Sequence, residues 1–332
     1  MNYAKEREIA NRKKLKAKII AFIIVAVLLL VLSVVSWFVP MGTWKYYVSL
    51  PKIGKKAPYA LRIHFLDVGQ GDATLVELPD GKVMLIDGGN DEENHKTTLL
   101  RYLNALKIDV IDYLIVTHTD SDHVGGLDTV AKYKDVKTAI LPQRQTMGAQ
   151  YLEFMDELQK QDCDIRALER MRICAKSDEN LYALSVLYPY ADELAQEEED
   201  DNQLSGVVWL SYQGVDVLFM GDAPSDIERA IMQEDKDGLL NGFATPLYDT
   251  EIIKVGHHGS ATSTSTAFIE YVKPETAVIS CGRNNAYGHP SSQTLKTLLD
   301  REVAVYRTDE QGHITITVAQ GESTYTVQTI EN

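Results

Sequence analysis

The sequence predicts an α/β fold, an αββα sandwich of two sheets packed face to face between two layers of helices, preceded by one transmembrane helix. Three observations carry this expectation. Residues 19–39 form an uncharged apolar run. From Leu61 onward, short apolar runs alternate with stretches of helical spacing, and strands lead both halves of that region. No repeat at solenoid spacing interrupts the pattern. With 332 residues, of which 45% are hydrophobic and 24% charged, the chain can build a sizeable core without a metal or disulfide to fold it.

Residues 1–18 form a basic tail, with Lys5, Arg7, Arg12, Lys13, Lys14, Lys16 and Lys18 against Glu6 and Glu8. The run IIAFIIVAVLLLVLSVVSWFV follows at 19–39. As a helix it rises ~30 Å, enough to cross the hydrocarbon core of a bilayer. Trp37 stands at its far end, where amphipathic rings favour the interface, and Pro40 follows. A cleaved signal peptide has a shorter apolar region and a small-residue cleavage site, whereas SWFVPMGTW is bulky. The expectation is therefore an uncleaved signal anchor: a single-pass protein of the cell membrane, its basic N-terminus cytoplasmic and its larger part extracytoplasmic. Residues 40–60 read as a linker carrying Pro40, Pro51 and Pro58, and residues 61–332 as one domain.

Within that domain, LRIHFLDV, ATLVEL and KVMLID read as consecutive strands joined by GQGD and the PDG turn at 79–81. TTLLRYLNALK reads as a helix, DYLIVT as a buried strand, LDTVAKY as a helix, TAILP as a strand and YLEFMDELQK as a helix. Residues 160–205 are less regular and end in EEEDD at 197–201, which reads as a solvated loop. GVVWLSY and VDVLFMGD form a hairpin through Gln213-Gly214, followed by the helix PSDIERAIMQ, the strand EIIKVG, the helix TSTAFIEYV and the strand TAVIS. SQTLKTLLD, VAVYRT, HITITVA and TYTVQTI complete the chain.

Charge narrows the partners. Residues 1–60 carry a surplus of nine positive charges within a chain of −15, which leaves −24 in residues 61–332. A domain that acidic repels polyphosphate backbones, so tight binding of duplex DNA is not expected. Three cysteines, Cys163, Cys174 and Cys281, are too few for a disulfide framework and lack zinc-finger spacing. Any metal here uses nitrogen and oxygen ligands.

The stretch YLIVTHTDSDHVGGLD, 113–128, sets His118, Asp120, Asp122 and His123 in H-x-D-x-D-H spacing directly after a buried strand. A lone His or Asp is usually solvated or a cap, but four metal-ligand types within six residues are hard to read as surface decoration. LFMGDA delivers Asp222 at the end of an apolar strand, where a carboxylate is costly unless paired or metal-bound. KVGHHGS delivers His257 and His258 after another such strand.

HFLDVGQGDATLVELPDGKVMLIDGG, THTDSDHVGG, LFMGDA, KVGHHGSATSTS and CGRNNAYGHP, in that order, resemble the metallo-β-lactamase superfamily. More narrowly they resemble the extracytoplasmic β-lactamase-like domain of ComEC-type competence proteins, over about residues 61–320. In place of the long array of membrane helices of those proteins, one anchor is expected here. The superfamily motif H-x-H-x-D-H has Asp120 at its second histidine, a swap shared with the ComEC-like branch and its choline-phosphate-esterase relatives.

The resemblance implies a metallo-β-lactamase sandwich in which His118 and Asp120 serve one metal and Asp122 and His123 the other. Asp222 would bridge them, and Asp87 would brace the loop. The family's third-motif histidine is missing, so His258 is expected to complete the first site and His289 the second. Neighbours on an extended chain point to opposite sides, so only one of His257 and His258 is expected to face the metals. His257 would then contact substrate or donate a proton. Asp67 and Asp72, in LDVGQGDA, are expected in a tight loop near the metals, and Asn202, Ser260, Asn285 and Tyr287 along the pocket. His64, His95 and His313 are expected to be structural.

Imidazoles and carboxylates without thiolate suit Zn2+, Mn2+ or Fe2+; the three carboxylates Asp120, Asp122 and Asp222 lean toward harder ions, so the two divalent metal ions expected are Zn2+ or, as its rival, Mn2+. Such a pair, ~3.5–4 Å apart, holds a bridging hydroxide near neutral pH and neutralises charge on phosphoryl oxygens. The function expected is a metal-dependent phosphodiesterase or nuclease-type hydrolase, with Asp122 and His257 in catalytic roles. Its substrate would be single-stranded DNA, a nucleotide or a choline-phosphate-type wall polymer. Hydrolysis of a lactone or thioester, or a non-catalytic competence-related DNA-binding role, are the alternatives, because the fold alone assigns no chemistry.

Overall fold

The computed structural model describes residues 2–38, 40–143, 148–174, 181–190 and 201–330. The chain divides into two compact units, Met1–Ser49 and Leu50–Asn332. The first consists of α1 (Asn2–Phe38) and a short 3-10 helix (Met41–Tyr46). Its span Arg7–Phe38 is long and apolar enough to cross a membrane. The apolar side chains of that span, Phe22 and Leu30 among them, are exposed rather than packed in a protein core.

The second unit opens with an antiparallel meander, β1 (Leu61–Phe65), β2 (Thr74–Glu77) and β3 (Val83–Ile86). Helix α2 (Glu93–Ala105) crosses to the parallel β4 (Val110–Ile115). Two short helices, α3 (Ser121–Val124) and α4 (Leu127–Tyr133), lead to β5 (Asp135–Leu141), and α5 (Ala149–Leu158) to β6 (Asp164–Ala167). The chain then builds a second sheet from β7 (Met171–Cys174), β8 (Tyr182–Tyr188), β9 (Val207–Tyr212) and β10 (Val215–Phe219), all antiparallel. Gln213 and Gly214 both take positive φ (57° and 84°), the pair that a two-residue hairpin turn requires.

Helix α6 (Ser225–Lys236), β11 (Ile252–Lys254), α7 (Thr266–Val272), β12 (Thr276–Ile279), α8 (Ser292–Leu299) and β13 (Ala304–Arg307) extend this sheet in parallel. Ser265 and Ser291 cap α7 and α8 by accepting from the N–H of Phe268 and Thr294. Helix α9 (Thr308–Gln311) returns the chain to the first sheet, which closes with β14 (His313–Val318) and β15 (Tyr325–Ile330). The strand orders are β15-β14-β1-β2-β3-β4-β5-β6 and β13-β12-β11-β10-β9-β8-β7.

Among the described residues, two apolar clusters hold the layers together. Between the sheets, Ile63, Phe65 and Ile316 of the first meet Val208, Leu210, Val217 and Phe219 of the second. On the outer side of the second sheet, Val207, Trp209, Leu218 and Ile253 meet Ile227 and Ile231 of α6 and Phe268 and Val272 of α7. The period of two is visible in β9, where Val208 and Leu210 face one sheet and Val207 and Trp209 face the helices. This is the expected αββα sandwich.

The middle of the chain departs from expectation. Residues 160–205, read as irregular, contain β6, β7 and β8. Strand β6 is an exposed edge strand whose side chains show no apolar alternation. Of the acidic run 197–201, only Asp201 lies within the described residues, at the start of a 3-10 turn (Asp201–Leu204).

Candidate metal centre

The strands β3, β4, β10, β11 and β12 run the same way within their sheets, and the segments that follow them carry Asp87, His118 to His123, Asp222, His257 and His258, and His289. Gly206 N–H donates to Thr117 O at 2.8 Å, tying the two sheets together beside these segments. The GQGD loop supports the H-x-D-x-D-H loop from below. Asp72 N–H donates to Asp122 O at 3.1 Å, and Gly71 takes φ 145° where an added Cβ would lie 2.3 Å from that same carbonyl. Only glycine fits there.

Asp222 is the hub. Its carboxylate lies 3.2 Å from His123 Nε2, 3.5 Å from His258 Nε2, 3.7 Å from His257 Nε2 and 4.0 Å from His118 Nε2. Asp122 Oδ2 is 3.2 Å from His258 Nε2, and Asp120 Oδ2 is 3.7 Å from His118 Nε2. His123 and His258 approach each other at 3.4 Å between Nε2 atoms. His289 stands beside them, its ring 5.6 Å from that of His257 and 6.3 Å from that of His258. Asp72, His123, Asp222 and His258 each offer an atom within 4.8 Å of the others, which makes a candidate metal-binding cluster.

A layer behind these groups orients them. Asp87, fully buried at positive φ, accepts from Thr117 N–H at 2.8 Å, from Thr117 Oγ1 at 2.7 Å and from His123 Nδ1 at 2.8 Å. Thr117 Oγ1, its proton committed to Asp87, accepts in turn from His118 Nδ1 at 3.0 Å. His258 Nδ1 donates to Ser280 O at 3.0 Å. All three rings therefore present Nε2 inward, the orientation that a carboxylate or carbonyl behind a metal-binding imidazole enforces. Ser205 Oγ accepts from Asp222 N–H at 2.8 Å.

The electrostatics are those of a crowded carboxylate–imidazole site. Burial, helped by the neighbouring His123, pushes His118 down to about 3. Burial also disfavours charge on His258 and His123, but the carboxylates around them prevail. Asp222, Asp72 and Asp122 lift His258 to about 10, and Asp222 with Asp87 holds His123 well above the ordinary histidine range. Asp222 lies well below the usual carboxylate range because His123 and His258 outweigh its burial. Burial lifts Asp120 to about 6; the carboxylates of Asp201, Asp122 and Asp222 add to this against the pull of His123. A divalent cation held here would have to displace the protons of His123 and His258, which would couple its binding to pH.

Most of the residues expected from the sequence are brought together here: His118, Asp120, Asp122, His123, Asp222, His257 and His258, with His289 adjoining and Asp87 behind. Two expectations are corrected, the backbone at 257–258 and the place of Asp67. His257 and His258 are not on extended backbone but in a 3-10 turn, both in the left-handed region (φ 49° and 52°), and both imidazoles reach Asp222. Such strain collects at functional sites. Asp67 caps Gly69 N–H at 3.2 Å and lines an adjoining cleft rather than this cluster. Asp72 sits behind His258, its Oδ1 3.6 Å from Nδ1 and its Oδ2 2.5 Å from Lys254 Nζ. Asp72 thus stands on the Nδ1 side of His258, ion-paired to Lys254, within the candidate cluster. Asn285 and Tyr287 line the same cleft as Asp67, and His95 with them, whereas His64 and His313 are buried elsewhere in the first sheet.

Sequence reasoning missed Thr117 and Lys254. A lysine between Ile253 and Val255 in a strand buried at every position was a legible signal.

The residues fit a divalent cation. His118 Nε2 and His289 Nδ1 are buried without a hydrogen-bond partner among the described residues, and the donors are the nitrogen and oxygen atoms that borderline and hard cations prefer. Fold, motif order and oriented imidazoles define a hydrolase of the β-lactamase-like kind. The family model of the metallo-beta-lactamase superfamily matches residues 66–283, and the chain belongs to that superfamily.

Within it, the chain is similar to competence proteins. It is 30% identical over 267 residues to ComE operon protein 3 of Bacillus subtilis, covering 76% of this chain and 32% of that protein. It is 29% identical to Recombination protein 2 of Haemophilus influenzae (78% and 29% covered) and 28% to competence protein ComA of Neisseria gonorrhoeae (77% and 32%). The chain thus spans about a third of the length of these relatives. Among solved structures, a diphosphatase of the PhnP family aligns with a TM-score of 0.36 at 13% identity, covering 65% of this chain and 85% of that one. A metallo-β-lactamase of Cronobacter sakazakii aligns at 0.31 and 15% identity, covering 46% and 56%. The competence relatives and the apolar N-terminal helix are consistent with a membrane-anchored protein.

Proposed function

We propose that this metallo-hydrolase is a phosphodiesterase of the nuclease type, anchored by residues 19–39 with its active site outside the cytoplasm. The substrate proposed is a small or single-stranded phosphodiester, free or part of a wall polymer. The observation that carries the reading is the convergence of four imidazoles on the Asp222 carboxylate, with Asp120 and Asp122 flanking. His118, Asp120 and Asp222 would hold one divalent ion, and Asp122, His123 and Asp222 a second, with His258 and His289 completing the set. Mn2+ or Zn2+ bound there supplies Lewis acidity and an activated water near neutral pH. The role of Asp87, Thr117 and Ser280 is to hold three rings so that they need not reorganise when charge develops.

His257 has the position of a proton carrier. It is 26% exposed at the rim, 3.7 Å from Asp222, and its Nδ1 lies 3.2 Å from Thr262 Oγ1. A ring that touches both the cluster and solvent can deliver a proton to a leaving alkoxide. The acidity of the domain does not oppose an anionic substrate once cations reverse the local potential.

The test is turnover of bis-p-nitrophenyl phosphate and of a single-stranded oligonucleotide by the full chain in detergent, loaded with Mn2+ or Zn2+. Asp222→Asn and Asp122→Asn should lose about a hundredfold to a thousandfold in kcat. Turnover of lactones or thioesters with none of any phosphoester would overturn the assignment.

A further inference from the structure

Beside the metal cluster lies a cleft of about 750 Å³, lined by Asp67, Gln70, His95, Arg283, Asn285 and Tyr287 among others. That volume falls in the range of small-molecule sites. A second recess of about 380 Å³ adjoins it and contains Asp122, Ser121 and Asn90. Gln70, Glu92 and Tyr287 line both, so one continuous surface leads from the cluster into the larger cleft.

Tyr287 stands at that junction, 71% exposed, its ring stacked on His289 with centroids 5.7 Å apart and planes 23° from parallel. The loop that carries it is held by one side chain. Asn285 Nδ2 donates to Gly282 O at 2.9 Å and His289 O at 2.6 Å, while its Oδ1 accepts from the N–H groups of Tyr287 and His289 at 3.2 and 3.0 Å. Gly282 N–H donates to Gln70 Oε1 at 3.1 Å, which locks the loop against the GQGD segment. An exposed aromatic ring is ordinary on a loose loop; on a loop fixed by five hydrogen bonds it is a preorganised surface.

The charge of the cleft selects what this ring meets. Asp67, Glu92 and Glu310 face Arg283 and His95, so the wall carries more acceptors than cations. A second phosphate group is disfavoured there. The amines and ring N–H of a nucleobase, and the hydroxyls of its sugar, find acceptors instead, while any base offers a π face to tyrosine.

We infer that this cleft is a nucleoside subsite in which Tyr287 stacks the base next to the phosphodiester at the metal cluster. The inference rests on the phosphodiesterase reading and names its substrate class as nucleotidic. Stacking on one ring tolerates every base, so the subsite confers preference for nucleotides without sequence preference.

The test is a calorimetric titration of the full chain, loaded with Mn2+ in detergent. The probes are thymidine 5′-monophosphate and 2-deoxyribose 5-phosphate, in which a hydroxyl at C1 replaces the base. The nucleotide should bind about tenfold to a hundredfold more tightly. Tyr287→Ala should bring the ratio of the two dissociation constants close to one, and Tyr287→Phe and Tyr287→Trp should keep it. Equal binding of the two probes, no binding of either, or an undiminished ratio in Tyr287→Ala overturns the subsite. The phosphodiesterase reading fails separately, if bis-p-nitrophenyl phosphate stays intact while the nucleotide preference persists.

Discussion

Replacing Lys254 by methionine isolates one interaction that stands behind the metal cluster. Lys254 ends β11 in a strand buried at every position, and its Nζ lies 2.5 Å from Asp72 Oδ2 and 2.8 Å from Val255 O. Both side chains are nearly sealed from solvent, at 3% and 5% exposure. The attraction of Lys254 and His258 keeps the Asp72 carboxylate below its usual range although burial pushes the other way. Methionine keeps the apolar stem and removes the charge. Asp72 is then left buried, with Oδ1 already lacking a hydrogen bond. Breaking a buried pair from one side costs about 3–5 kcal/mol. That is a large part of the roughly 5–15 kcal/mol available to a folded domain. At ~2–4 °C per kcal/mol the melting temperature should fall by roughly 10 °C. Asp72→Asn in the same background removes the stranded charge and should recover at least about 2 kcal/mol. Scanning calorimetry on wild type, both single variants and the double variant, with saturating metal, measures that coupling. Additive losses would refute the reasoning. If Asp72→Asn alone also lowered bound metal, Asp72 would be a ligand, as its place within 4.8 Å of three others allows.

Three further outcomes follow from the same geometry. Asp87→Asn should weaken metal binding by about tenfold to a hundredfold in a chelator competition, because it disturbs the acceptor of both Thr117 and His123; unchanged affinity would refute the bracing role. Chelation of the loaded protein should lower its melting temperature, since cations held by the folded site at about a thousand times their dissociation constant add about 4 kcal/mol; a melting curve indifferent to chelator and metal would refute the site. Burial, with His64 nearby, holds His313 down at about 4, and its neutral Nδ1 accepts from Asp67 N–H at 2.9 Å. The unfolded chain takes a proton there below about 6.5 and the folded one only below about 4, so stability from this group is full above pH 6.5 and falls as pH drops through that window. Up to about 3 kcal/mol is involved, and His313→Gln should flatten that part of the stability–pH curve.

What could be read from the sequence follows from which signals are local. The strands that meet in the inter-sheet core are short, apolar and bounded by turns, so β1, β2, β3, β9 and β10 were legible within a residue or three of their ends. Strand β6 was not, because an edge strand with exposed side chains owes its structure to the ladder with β5 and not to its own pattern. The ligand types of the 118–123 loop and Asp222 were legible because charged groups at the ends of apolar strands are costly unless something pairs with them. Thr117 was not legible. A threonine after a strand says nothing by itself, and only the fold brings Asp87 to its hydroxyl and amide.

The two adjacent histidines show where the pattern argument reaches its limit. Alternation of side chains holds for extended backbone, and β11 ends at Lys254, two residues before the turn begins at Gly256. With φ near +50° at both His257 and His258, the chain winds instead of alternating, and the Gly259 that follows at φ 82° lies against Pro290. Two consecutive non-glycine residues in the left-handed region cost of order 1–3 kcal/mol each. The packing around them offsets that cost. His257 N–H donates to Gly221 O at 3.0 Å, beside Asp222, and His258 Nδ1 donates to Ser280 O. The turn is thereby fixed to the segments that follow β10 and β12, and both rings are delivered to one carboxylate. Relaxing the strain by His257→Gly should therefore leave the turn and the placement of His258 intact while removing the exposed imidazole. Bound metal should stay close to the wild-type level while kcat falls. Loss of metal in that variant would instead make His257 a ligand and move the proton carrier elsewhere.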